Sequence, residues 1–94
     1  MTLEEQNQLV EENKAFVGEV LFKHLSHVVR FHKGREEDLL QEGFYALTWA
    51  VRRFDPDRGV KFLTYAAPII RGRILNYVRR GGSTSLFKLP DKVK

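Results

Sequence analysis

Between Glu36 and Arg80 the chain reads EEDLLQEGFYALTWAVRRFDPDRGVKFLTYAAPIIRGRILNYVRR, two helical patterns facing each other across one short turn. That turn, Phe54-Asp55-Pro56-Asp57-Arg58-Gly59, has a physical basis: Pro fixes φ early, Asp side chains accept backbone N–H bonds, and Gly tolerates positive φ. Before it, Glu36, Glu37 and Asp38 place negative charge at a helix start, against the positive end of the macrodipole. Leu40, Phe44, Leu47, Val51 and Phe54 then recur at three- and four-residue steps and predict a buried stripe. After the turn, Ala66, Ile70, Ile74 and Val78 predict an inward stripe on a helix from about Leu63 to Arg80, with Ile69 and Tyr77 at its flanks. Pro68 lies inside that helix and removes one N–H, which predicts a kink or an irregular first turn.

The residues before Glu36 read as support. Thr2 and Glu5 have capping-box spacing, and Val17, Val20, Leu21, Leu25, Val28 and Val29 define one buried face of a long first helix, widened by Phe16, Phe22 and Phe31. The polar run from Glu11 to Lys14 divides it into a short leader over residues 1–12 and a main helix, and Lys33-Gly34 ends it. A chain of 94 residues is one domain near the low end of what buries its own core. The expected fold is all-α, a compact bundle of three to four helices over residues 1–80. Gly81 to Ser85 end the last helix, and residues 81–94 read as a flexible basic tail or the start of a linker.

Charge is unevenly spread. Residues 1–51 carry five Lys/Arg against nine Asp/Glu, whereas residues 52–94 carry eleven against three, and this asymmetry suggests two partners on two surfaces. The second helix shows Asp38, Gln41, Glu42, Tyr45 and Thr48 opposite its stripe, with Trp49 between the faces. The basic half adds Phe54, Phe62, Tyr65, Tyr77 and Phe87. Cations with exposed rings suit single-stranded nucleic acid, although burial habits send most such rings to a core.

Other classes find little support. There is no cysteine, hence no disulfide framework and no thiolate zinc site. No apolar run approaches the roughly 18 residues of a membrane span, and the acidic start is unlike a signal peptide, so a cytoplasmic protein with no membrane partner is expected. His24, His27 and His32 lack a further ligand at metal spacing and read as ordinary histidines. No nucleophile-base pair, phosphate loop or metal set points to an enzyme or a cofactor.

DLLQEG, RFDPDRGVKFLTYA and PIIRGRILNYVRR, in this order and spacing, resemble the second conserved region of bacterial RNA polymerase sigma factors, closer to the flagellar, stress and sporulation types than to the housekeeping class. The resemblance implies a transcription initiation module. Asp38, Gln41 and Glu42, with Phe44 and Thr48, fall where the family docks on the clamp helices of the polymerase β′ subunit. Phe62, Thr64 and Tyr65 fall where it captures an extruded base of the −10 promoter element and stacks on the single-stranded non-template DNA. Arg58, Lys61, Arg71 and Arg73 would hold phosphates. Stacking offsets the few kcal/mol that unpairing costs, so rings and cations must sit together.

Departures from the family pattern fall at Val60, at Pro68 and Ile69 where the housekeeping class has a tryptophan pair, at Gly72 where it has a base-reading glutamine, and at Leu63 where a small hydroxyl residue is common. No region for reading a −35 element follows, which suggests either an excised domain or a two-part system with a separate −35-reading subunit. Two other readings compete: a sigma-like interaction module that binds polymerase or an anti-sigma protein without reading DNA, and a basic helical binder that places its third helix in the major groove.

Overall fold

The structure, a computed structural model, describes residues 1–80; the helix end at Gly81–Ser85 and the tail expected up to Lys94 lie outside the described residues. Those residues are all-α, with helices α1 (Leu3–Glu12), α2 (Lys14–Glu19), α3 (Ser26–Phe31), α4 (Glu36–Arg53) and α5 (Phe62–Arg79). Five helical segments therefore replace the three to four expected, because the first long helix is broken twice.

The first break falls in the polar run. α1 opens with the capping box: Thr2 Oγ1 accepts the Glu5 N–H at 3.1 Å, and Glu5 accepts the Thr2 N–H at 2.8 Å. That backbone bond holds the Glu5 carboxyl below its ordinary range. Asn13 closes α1, and its side-chain amide donates to the Leu9 carbonyl at 2.9 Å, an alternative to continuing the helix. The second break has no counterpart in the sequence reading. Val20–His24 form a π-helical turn, closed by the Leu25 N–H on the Val20 carbonyl at 3.1 Å, and Leu25 leaves the helical region at φ −121°, ψ 35°.

Val17, Val20, Leu21, Leu25 and Val28 are buried as expected, and Val29 is partly buried. Phe22 and Phe31 do not widen that face: they are 47% and 88% exposed. Phe31 ends a six-residue helix that packs chiefly on the π turn before it, so no second layer covers its ring.

On α4 the buried line is Leu39, Gly43, Ala46, Leu47, Ala50 and Val51. The expected stripe of Leu40, Phe44, Leu47, Val51 and Phe54 is thus rotated, with Leu40, Phe44 and Phe54 at its margin. Close approach selects small residues. A Cβ at Gly43 would overlap the Val17 Cγ1 methyl and meet Ile74 Cδ1 at 3.4 Å, so α2, α4 and α5 converge at this backbone.

The turn forms as its residues dictate. Asp55 Oδ1 accepts the Asp57 N–H at 3.0 Å, Pro56–Arg58 make one 3₁₀ turn, and Gly59 takes φ +79°. α5 then buries Ala66, Ile70 and Ile74, while Val78 is partly buried. Its helical hydrogen-bond pattern continues through Pro68, so the first turn is not irregular, contrary to expectation. Thr64, whose carbonyl loses its donor, lies on the exposed side, where solvent can satisfy it. Glu42 meets Arg73 near the open ends of α4 and α5 and Phe54 meets Phe62 near the turn, so the two helices form an antiparallel hairpin.

Candidate functional site

Where the hairpin turns, Arg53, Phe54, Asp55, Arg58, Val60 and Tyr65 line an open recess of ≈ 260 Å³. Phe54, the C-cap of α4, faces two rings of α5: Phe62 edge-on at 5.2 Å between centroids, and Tyr65 tilted at 5.7 Å. The rings hold one another, and two arginines stand among the lining residues. Such a site offers a flat apolar surface beside cations, the chemistry a base and its phosphate need.

Of the three residues expected to capture a base, only Tyr65 lines this recess. Phe62 buttresses Phe54 from outside the lining, and Thr64 is exposed beside it. Arg53, Phe54, Asp55 and Val60 are the additions. Phe54 sat at the last step of an apolar stripe and read as core; its place immediately before Asp-Pro, where the helix has to stop, was the available signal. Of the expected phosphate ligands, Arg58 lines the recess and is only loosely held by Asp55, at 3.7 Å. Lys61 and Arg71 are exposed.

The face of α4 away from the core carries Asp38, Gln41, Tyr45 and Trp49, all exposed and spaced by three and four residues. Tyr45 is 63% and Trp49 46% exposed, large values for aromatic side chains. Each ring has a guanidinium against it: Arg73 at 5.3 Å from Tyr45, and Arg53 at 4.8 Å from Trp49. Phe44 and Thr48, expected on this interface, are partly buried, and the Thr48 hydroxyl donates to the Phe44 carbonyl at 3.0 Å. Glu42 is inclined toward α5, where it accepts the Arg73 Nε–H at 3.0 Å. The structure therefore brings together one residue expected at each of two different interfaces. Tyr45 was expected on this face, whereas Trp49 was expected between the two faces, although its spacing from Gln41 and Tyr45 places it with them.

Among the described residues, no group of three His, Cys, Asp or Glu is placed to hold a metal ion, and no helix is long and apolar enough to cross a membrane.

The family described as Sigma-70 region 2 matches residues 9–84. The chain is 38% identical over 81 residues to the RNA polymerase sigma-B factor of Myxococcus xanthus, which covers 86% of this chain and 30% of that protein. It is 36% identical over 83 residues to the sigma-C factor of the same organism, covering 88% of this chain and 26% of that protein. To the RNA polymerase sigma-F factor of Bacillus subtilis it is 35% identical over 91 residues, 92% of this chain and 33% of that one. The chain thus spans about a third or less of the length of these relatives. No solved structure matches.

Proposed function

The chain belongs to the Sigma-70 region 2 family, and we propose that it acts as a transcription initiation module, with the exposed face of α4 docking on core RNA polymerase and the recess at the hairpin turn holding an extruded base of the −10 element. The recess carries this reading. Its volume of ≈ 260 Å³ lies just below the roughly 300–1,000 Å³ of drug-sized ligand sites, which suits a single flat ring rather than a segment of folded protein. Phe54 and Tyr65 supply the stacking surface, while Arg58 and Arg53, with Lys61 and Arg71 farther out, supply charge for the flanking phosphates.

The docking half rests on α4. Asp38, Gln41 and Glu42 meet donors on a basic polymerase helix, and Tyr45 and Trp49 extend the contact with apolar area, as aromatic residues do at interface centres. Phe44 and Thr48 shape this face from its margin. The proposed domain is residues 1–80.

Binding of fluorescent −10 oligonucleotides, measured with core polymerase present, tests the reading. Single-stranded non-template DNA should bind more tightly than the matching duplex, and Tyr65→Ala should remove most of that preference. Equal or tighter binding of duplex would reject base capture.

A further inference from the structure

Glu42 and Arg73 are 31 positions apart and form a direct ion pair, Arg73 Nε–H donating to Glu42 Oε1 at 3.0 Å. The Glu42 side chain is only 16% exposed, against 48% for Arg73, so the carboxylate lies partly beneath the guanidinium. The Tyr45 ring stands 5.3 Å from the same guanidinium and confines it from a second side. Antiparallel register repeats the arrangement one turn along. Four residues back on α4 is Asp38 and four residues on along α5 is Tyr77, whose phenol is raised above its ordinary value by burial first and by the charge of Asp38 second. Glu42 is therefore held by a side chain of α5, and Asp38 lies close enough to Tyr77 for its charge to act on the phenol.

We propose that Arg73 is a positioning residue of the docking face: it fixes the Glu42 carboxylate in one orientation and leaves the second oxygen to accept a donor from the polymerase. The inference rests on the docking reading above. A carboxylate has room for several donors, and the Arg73 Nε–H occupies Oε1. A glutamate held in place before the partner arrives loses less rotamer freedom on binding. This gives Arg73 a task on the protein-binding side of the molecule, distinct from the phosphate contacts of Arg71. It also makes one helix serve both interfaces, since Tyr65, in its first turn, lines the recess.

The proposal carries a sign that simple charge attraction does not share. Removing a cation from a face that meets a basic helix should tighten binding by Coulomb attraction alone. If Arg73 positions Glu42, the same change weakens it. Equilibrium binding of the full chain to core RNA polymerase decides between them, with helicity and melting temperature recorded for every variant. Arg73→Met is expected to bind about three- to tenfold more weakly with its fold intact, as suits a half-exposed ion pair. Adding Glu42→Gln to it should cost less than Glu42→Gln costs alone. Unchanged or tighter binding by Arg73→Met overturns the proposal. Should that variant fail to fold, Arg73→Lys keeps the charge and the stem but loses the guanidinium fork, and binding equal to wild type overturns the proposal as well. A wild-type chain that captures no polymerase rejects the docking reading itself, and this shows before any variant is compared.

Discussion

Gly43 and Val17 share a single notch: one added carbon at position 43 would overlap the Val17 Cγ1 methyl. Three helices are locked together at a point where a side chain is absent, so the middle residue of this packing acts through its size alone.

Gly43→Ala should therefore destabilise the domain, although alanine is the better helix former by about 1 kcal/mol. Overpacking of this kind costs about 1–3 kcal/mol, and the contact at 3.4 Å from Ile74 Cδ1 adds crowding on the other side. Thermal unfolding should show a lower melting temperature. Val17→Ala in the Gly43→Ala background should recover part of the loss, and strictly additive losses would show that the two positions do not compete for space.

The lining of the recess separates two versions of the base site. Phe54→Leu and Tyr65→Ala remove stacking surface and should each weaken single-strand binding by an amount on the order of 1–3 kcal/mol. Thr64→Ala, outside the lining, should stay close to wild type in titrations of the −10 strand with core polymerase present. A loss at Thr64 as large as that at Tyr65 would move the base pocket around α5.

Arg71 and Arg73 should part company in salt titrations. If Arg71 meets a phosphate, Arg71→Met lowers the slope of log affinity against log salt by about 1. Arg73 is already engaged by Glu42, and Arg73→Met should leave that slope unchanged. Equal loss of slope in both variants would return Arg73 to the DNA surface.

Tyr77 gives the α4–α5 hairpin an alkaline signature. Burial, then the charge of Asp38, raises its phenol above the ordinary tyrosine value. Because the folded state favours the neutral phenol, the resulting stability is fully present below the ordinary value and fades as pH rises through the raised one. Asp38→Asn should bring the titration down only part of the way, since burial is the larger cause. Carbon-labelled tyrosine followed by NMR resolves it, and a titration that does not move would remove Asp38 from contact with Tyr77.

The hairpin was legible because its signals agree: acidic start, apolar period, Asp-Pro-Asp-Arg-Gly turn and a second apolar period all describe the same two helices. Family motifs on those helices then gave the domain type. What escaped has physical causes. The phase of the α4 stripe was misjudged because large apolar residues dominate a hydropathy pattern, whereas Gly43, Ala46 and Ala50 mark the line of closest approach. Phe54 could be read as core or site, and only the path of the chain after it decided for the recess. The Glu42–Arg73 pair could not be read from spacing along one helix, because it depends on the register between two. The π turn has no composition of its own to betray it: Val20 to His24 look like ordinary helix.

That π turn makes chain length a structural variable. Between Asn13 and Gly34 the backbone holds one more residue per turn at Val20–His24 than an α-helix would, and still delivers Val17 to its notch and Val28 to the core. Deleting one residue there need not break the helix; the turn would relax to regular α geometry, and the flanking residues would keep their faces because the wide turn had taken up the extra residue. The element thus works as slack in the chain, taking up one residue so that the buried faces before and after it stay in phase.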